Sequence, residues 1–586
     1  MSTILSSEKP DALDTNSQER HVTQAAGRVT RAVPVVIFVA VFGMFFVWPL
    51  LDVLLRSLSD SGVAHYFWPH VSFANYTAIA STSFLRTLLW QTVYISILSA
   101  VVALALATPV AYLMSRVSSR VAMTLMAFIV VEFFSSIVVR LFGLSELLGR
   151  DGPVNQLLGS VGLGGPYSLL FNTFATVVGN VEYLVPIAIL TLYSAMNRVD
   201  QNMLVAARTL GARGGTAFIR IYLPQIRSSL LATAALCFIL SAGFFLTPSM
   251  LGGTSDTTIP LYVVQQVQNY TWGTASAVGI VLLILSIAGY YVAMRLGRGS
   301  LFAAGHAGGK GVSSEVRLGL SVTSVLLWAI SLLLILALLA PLAIVVASSF
   351  NGSPFLEFPP HDLTTKWYSA ALTDPTWVAA IWKSVRVALA VGIIGTGLGL
   401  LLARVKSKID RPWLADLVGV IAFTPLVVPL VLLAIGIFGV EARIGLLGTQ
   451  IGLILPQSVL TVPYAYSILE GAMARGTDEI ELAAWTLGAS RTRTFWSVII
   501  PRLIPSLFAS FALCFVMSWD EIMVALFQTG FNKTLPVLIY STVKSGPNPE
   551  LSAIATVAMG VIFMGLILAG IYRLLVPRLS RSRTPA

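Results

Sequence analysis

The stretch VAARTLGARGGTAFIRIYLP, residues 205–224, returns as LAAWTLGASRTRTFWSVIIP at residues 482–501. Both copies fit A-A-x-T-L-G-A with a proline twelve residues after the last alanine. Gly211 and Gly488 stand 277 residues apart (488 − 211), as do Pro224 and Pro501. The chain's two cysteines, Cys237 and Cys514, keep that spacing, each inside A-L-C-F. One unit therefore occurs twice, end to end, and the fold has to be a doubled one.

Each copy is mildly polar, rich in Ala, Arg and Thr, between very apolar runs. Ala-Ala-x-Thr-Leu favours helix, and the glycine supplies the left-handed residue that ends one. A second short helix is expected up to the proline, capped by Ser490 in the second copy. Two short helices around a glycine make an exposed knob of small residues. A single copy reads as an interfacial loop between membrane helices; two copies at one spacing point to a docking element.

The chain has 586 residues, 56% hydrophobic and 11% charged, with a mean hydropathy of +0.84. A soluble domain has no use for that much apolar surface, whereas about 20 apolar residues cross a bilayer as a helix. Such runs lie near 34–55, 87–114, 122–145, 172–195, 228–247 and 274–295, then 321–349, 379–403, 412–439, 451–471, 506–528 and 551–576. The expectation is an all-α polytopic membrane protein of twelve helices in two repeated halves of six. Its units are a tail (1–33), a first half (34–295, knob about 196–227), a tether (296–320), a second half (321–576, knob about 472–505) and a tail (577–586). The net charge of +11 does not gather into a nucleic-acid patch. Arg116, Arg120, Arg213, Arg220, Arg404, Lys408, Arg491, Arg493 and Arg578 punctuate alternate loops. By the positive-inside rule this places both knobs and both termini in the cytoplasm.

Residues 308–311, Gly-Gly-Lys-Gly, lack the spacing and the Ser or Thr of a phosphate loop. The five histidines lie outside the apolar runs. No cofactor, metal cluster or catalytic residue is expected, so the chain reads as a transport subunit and not an enzyme.

The repeated segment resembles the cytoplasmic loop of ABC importer permeases, whose short helix sits in a groove of the ATPase subunit. That resemblance implies a type I importer permease fold. It makes Ala206, Ala207, Gly211, Glu481, Ala483, Ala484 and Gly488 the docking residues. The glutamate that usually precedes the Ala pair is replaced by Val205 and Leu482, with Glu481 one residue earlier. Further residues narrow the resemblance to spermidine/putrescine-type permeases. Val139-Arg140 after Ser135-Ser136, with residues 152–158 following, looks like that family's first permease. Ser518-Trp519-Asp520-Glu521 and Thr534-Leu535-Pro536 look like its second. Two subunits usually encoded apart are fused here. The resemblance implies two copies of an ABC ATPase, a periplasmic solute-binding protein and a bacterial inner membrane as partners and place.

Ionisable residues inside membrane runs mark pathways or buried pairs. The candidates are Glu132, Arg140, Glu182, Asp520 and Glu521, with Phe244, Phe245 and Trp519 as aromatic faces. Arg140 serves either as a lock between helices or as a pathway residue, and Asp520 and Glu521 either line a gate or bond nearby backbone. Where the related box reads G-D-F, this chain has Gly243-Phe244-Phe245. A polyamine is the first expectation. The lost carboxylate beside a retained guanidinium leaves room for an opine, an amino-acid derivative or 2-aminoethylphosphonate. An ion-gradient-driven secondary transporter is the rival of another class.

Overall fold

The computed structural model describes residues 35–59, 71–297, 321–474, 477–530 and 532–581. The tail at 1–33, residues 298–320 of the tether and residues 582–586 lie outside them. The described chain is helical, with one isolated bridge between Ser59 and Val71. In the first half α1 is Val35–Ser57, α2 Ser83–Met114, α3 Ser119–Phe133, α4 Ile137–Leu147 and α5 Thr173–Met196. The knob helix α6, Gln201–Thr209, leads to α7, Gly215–Ala242, then α8 (Leu246–Leu251), α9 (Ile259–Gln268) and α10 (Trp272–Gly297). The second half repeats this order as α11 (Val322–Ser348), α12 (Pro375–Lys406), α13 (Pro412–Val427), α14 (Leu430–Ile444) and α15 (Gln450–Met473). It closes with α16 (Thr477–Thr486), α17 (Arg491–Trp519), α18 (Met523–Gln528), α19 (Leu535–Ser545) and α20 (Pro549–Arg581).

Nine of the described helices are long and apolar enough to cross a membrane, and α20, at the run read as the twelfth, contributes a shorter apolar stretch, Pro549–Gly565. The other two places correct a sequence expectation. Runs 122–145 and 412–439 are not single crossings; α3–α4 and α13–α14 are bent by 92° and 94°. The second break has a local cause. Proline disfavours the helical region for the residue before it, and Val428, ahead of Pro429, sits at φ −80°, ψ 127°. The first break has no proline. Ser136 is turned out of the helix at φ −56°, ψ 130°, and what holds it comes from the other half. Runs 228–247 and 506–528 are also displaced, since α7 starts at Gly215 and ends at Ala242, and α17 starts at Arg491 and ends at Trp519, before the chain turns into α8 and α18.

Pro224 and Pro501 do not open new helices as the sequence suggested. Each is preceded by a π turn, Phe218–Tyr222 and Phe495–Ile499, in which Leu223 N–H bonds Phe218 O and Ile500 N–H bonds Phe495 O. Widening the turn relieves the clash of a proline ring with the carbonyl four residues back. The knobs' second helices therefore run unbroken into α7 and α17.

The halves interlock through their first spans. α1 packs against α14 of the second half, and α11 against α4 of the first. Glycine is required at both crossings: a Cβ on Gly143 would overlap the Pro341 carbonyl oxygen, and one on Gly436 the Pro49 carbonyl oxygen. Polar ties accompany them. Arg443 Nη2 donates to Asp52 at 2.7 Å, and Ser348 Oγ donates to Glu146 at 2.5 Å. Within each half the same pseudo-symmetry places Ser57 against Tyr76 and Ser349 against Tyr368, at 2.8 and 2.6 Å. Large apolar side chains such as Val36, Val101, Leu333, Leu336 and Ile393 stay exposed on the spans, the surface that lipid covers in a bilayer.

Overpacking a filled contact costs about 1–3 kcal/mol. Gly143→Ala and Gly436→Ala should each lower the thermal unfolding midpoint of the purified chain in detergent. Gly397→Ala, whose added methyl meets no atom within 4 Å, should leave the midpoint unchanged or raise it, since alanine favours helix. A Gly143→Ala protein as stable as the parent would rule out the close crossing.

Candidate functional site

The breaks converge between the halves and wall a cavity of about 260 Å³. Its walls are Ile137 at the start of α4, residues 243–246 after α7, residues 425–430 at the α13–α14 break and residues 520–523 after α17. Tyr183, Gln457 and Tyr464 close it from α5 and α15. The charged side chains among its lining residues, Asp520 and Glu521, are both acidic. Phe244 and Phe245 line it as expected; Phe244 meets Tyr183 edge-on with ring centroids 4.7 Å apart.

Asp520 and Glu521 do both things the sequence left open. Asp520 faces the cavity and accepts hydrogen bonds from Ser136 Oγ at 2.5 Å and from the Ile137 amide at 3.1 and 3.2 Å. A side chain from the second half thus caps α4 of the first, where the helix dipole favours an anion. Glu521 caps its own helix, accepting from the Val524 and Ala525 amides at 2.7 and 3.1 Å and from Gln457 Nε2 at 3.1 Å.

Arg140 does not line the cavity. Its guanidinium is buried on α4, paired with Glu132 of α3 and, at 3.1 Å, with Glu182 of α5, and lies 5.5 Å from the Tyr183 ring centre. Of the two roles open to it, the structure puts it in the lock that fastens both arms of the broken span to α5. Glu132 and Glu182 are likewise withdrawn from the cavity. Trp519 is also not a wall residue: it is 1% exposed and stacks on Phe515. Cavity residues missed in the sequence include Tyr183 and Gln457, and Ser518 entered only as part of the box that carries the resemblance. For Gln457 and Ser518 the signal was the repeat spacing, because the matching pairs meet in both halves: Asn180 Nδ2 donates to Ser241 Oγ at 3.1 Å, and Ser518 Oγ donates to Gln457 Oε1 at 2.6 Å.

Breaking a buried ion pair by removing one partner costs about 3–5 kcal/mol. Arg140→Met should therefore destabilise the purified chain strongly. Arg140→Met with Glu132→Gln and Glu182→Gln together should recover much of the loss, as read by thermal unfolding. A single variant as stable as the parent would remove Arg140 from the lock.

The two knobs present matched tips. Gly211 and Gly488 adopt φ of +85° and +84°, the left-handed conformation read from the sequence, and a Cβ added at either would meet nothing within 4 Å. The leucines before them, Leu210 and Leu487, are each 88% exposed. They are the most prominent apolar groups of the knobs and were not singled out in the sequence. Ala206 and Ala483 are exposed, Ala484 is half-buried and Ala207 is buried. Ser490 caps the helix after the second tip as expected, accepting from the Arg493 amide at 3.3 Å.

Glu481, expected on the docking face, faces inward instead. Arg404 binds it through two nitrogens at 2.9 and 2.5 Å, and Lys408 at 2.7 Å, both from the end of α12. Burial pushes its carboxyl up, but the hydrogen bonds from Arg404 and Lys408 outweigh burial and hold it below the ordinary glutamate range. A carboxyl lowered on folding contributes stability above its unfolded pKa, about 4.3, and loses it as pH falls through the lowered value. With the intrinsic pH dependence of amide exchange divided out, exchange in α16 should therefore stay constant from pH 8 to 6 and rise only in stronger acid. Glu481→Gln should show the raised exchange already at pH 7; equal protection in both proteins would remove the ion pair as the mount of α16.

The sequence matches the family described as binding-protein-dependent transport system inner membrane component twice, over residues 94–298 and 395–581. It is 29% identical over 252 residues to the spermidine/putrescine transport system permease protein PotB of Haemophilus influenzae, covering 42% of this chain and 87% of that one. It is 27% identical over 247 residues to the putrescine transport system permease protein PotI of Escherichia coli K12, covering 40% and 86%. The crystal structure of a bacterial ABC transporter involved in the import of the acidic polysaccharide alginate matches with a TM-score of 0.37 and 16% identity, over 48% of this chain and 99% of that one.

Proposed function

We propose, because this chain belongs to the family of binding-protein-dependent transport system inner membrane components and is a multi-pass permease component, that it forms by itself the whole pathway of an ATP-driven importer for a small organic cation. The two halves, 34–295 and 321–576, act as the two permease subunits of such a system. The observation that carries the reading is the cavity between the halves, whose lining pairs two carboxylates with aromatic faces and contains no cationic side chain. Carboxylates and ring faces are what stabilise an ammonium away from bulk water. A polyamine or related amine is the substrate class, and the names of the relatives agree with it. The opine and 2-aminoethylphosphonate readings rest on Arg140 as an anion receptor, and Arg140 is engaged by Glu132 and Glu182 away from the cavity.

Both knobs face the cytoplasm, as do the termini, in a bacterial inner membrane. Each receives one copy of an ABC ATPase, with Leu210 or Leu487 as the apolar anchor beside Gly211 or Gly488. A periplasmic solute-binding protein delivers the solute to the other face. ATP binding draws the knobs together. Each knob is continuous with a long helix, α7 or α17, that ends at the cavity wall. At 1.5 Å per residue the 28 residues of α7 carry that motion about 40 Å. Hydrolysis resets the cavity inward, so the cycle is alternating access between two repeats. The chain binds and guides; the hydrolytic chemistry belongs to the ATPase.

Proteoliposomes holding the full chain with its ATPase and binding protein should accumulate putrescine or spermidine with ATP and not with a proton gradient alone. Gradient-driven uptake without ATP would instead establish a secondary transporter. Leu210→Asp and Leu487→Asp should each abolish co-purification of the ATPase at their own knob while the chain inserts and folds normally. Gly211→Val should reduce ATP-coupled uptake because valine does not tolerate positive φ.

A further inference from the structure

The capping of α4 is one-sided. The repeat spacing of 277 residues aligns Asp520 with Gly243, and Glu521 with Phe244. Asp520 reaches out of the second half to the first turn of α4, but no side chain of residue 243 exists to do the same for α14, whose own N-cap is Pro429. One broken span is therefore held across the halves by a carboxylate at the cavity wall, and its counterpart is not.

That carboxylate has a competing use. It is one of the two charged groups among the lining residues, and it sits among acids. Behind it Glu132 and Glu182 share one guanidinium, Arg140, and beside it stands Glu521, which gives four carboxylates to one fixed cation. The partners Asp520 has are neutral dipoles, a hydroxyl and an amide. An ammonium brought into the cavity offers it a full opposite charge instead, and away from bulk water the attraction between two unit charges is several times stronger than in it.

We propose that Asp520 is a substrate-competed latch: it pins the start of α4 to the second half when the cavity is empty and turns to the amine when it is filled, so that solute binding itself loosens the join between the halves. This rests on the importer reading above. Ser136 is the positioning residue of the latch, and it holds the carboxylate without entering the pathway chemistry. The latch has two consequences. It keeps the empty transporter from cycling, and it makes the first half's broken span the one that moves when solute arrives.

The test separates charge from tether. The full chain is reconstituted with its ATPase and binding protein, and ATP hydrolysis is measured with and without putrescine alongside putrescine uptake. Ser136→Ala removes the hydroxyl donor and spares the carboxylate. It should raise hydrolysis without solute about three- to ten-fold and flatten its stimulation by putrescine. Ser136→Thr, which keeps a hydroxyl, should restore the low basal rate, and this distinguishes a latch from a packing defect. Asp520→Asn keeps an acceptor for the Ile137 amide and loses the charge. It should reduce putrescine uptake at least ten-fold and abolish the stimulation of hydrolysis by putrescine. A parent complex that transports putrescine while Ser136→Ala keeps the parent's basal rate overturns the latch and leaves the importer reading standing. A parent complex that hydrolyses ATP with its binding protein but takes up neither putrescine nor spermidine overturns the amine reading and the competitor with it.

Discussion

Backbone amides and carbonyls that leave a helix inside a bilayer must find partners in protein, since lipid offers none. This chain breaks two of its spans at right angles, so it has to bury both breaks in protein, and the other half supplies part of that cover. The rest of the architecture answers that need. α1 and α11 cross over to cover the half-helices of the opposite repeat at Gly436 and Gly143. The two breaks face each other, and the space left between them is the cavity. A break that is protected by the opposite half is also a break that changes when the halves move, so the packing requirement and the transport requirement fall on the same residues.

The two repeats share a backbone plan but meet that need with different chemistry. The second break is written into the backbone by Pro429, which needs no partner to stay bent. The first is held by side chains: Asp520 on the new helix start, and Arg140 with Glu132 and Glu182 fastening both arms to α5. A bend set by proline is fixed, whereas a bend set by hydrogen bonds and ion pairs has an equilibrium that a ligand shifts by its differential affinity for the two arrangements. Fusing the two permeases in one chain fixes the pairing of a half bent by proline with a half bent by side-chain contacts. The knobs repeat the contrast, since α16 is mounted by Glu481 on Arg404 and Lys408 while Leu204, at the matching place in α6, is apolar.

Much of this was legible because the repeat is legible. The T-L-G-A boxes and the 277-residue spacing gave the doubling, the left-handed glycines and the Ser490 cap, and run lengths placed the spans. What escaped depends on partners distant in sequence. Nothing near Ser135-Ser136 marks a right-angle bend, because the group that stabilises it is Asp520, 384 residues on. The inward turn of Glu481 is decided by basic residues on α12, 77 residues earlier in the case of Arg404. Arg140 was recognisable as costly, but whether it faced a cavity or a carboxylate turned on Glu182, 42 residues away on another helix. Pro224 and Pro501 misled for a local reason. A proline ends a helix only if the preceding turn stays α, and here a π turn makes room for the ring.

That last detail decides how force would travel. Had each proline broken the chain, the knobs would hang on flexible joints, and a motion of the ATPases would be absorbed before it reached the membrane. With the π turns in place, each knob is one end of a continuous helix whose far end, at residue 242 or 519, is followed within a few residues by the cavity wall. The two helices end on unlike residues, Gly243-Phe244 in one and Asp520-Glu521 in the other. In the importer cycle proposed above, a symmetric pull at the knobs would reach an asymmetric lining. An asymmetric lining is what a pathway needs to hold a cation on one side while the other side opens.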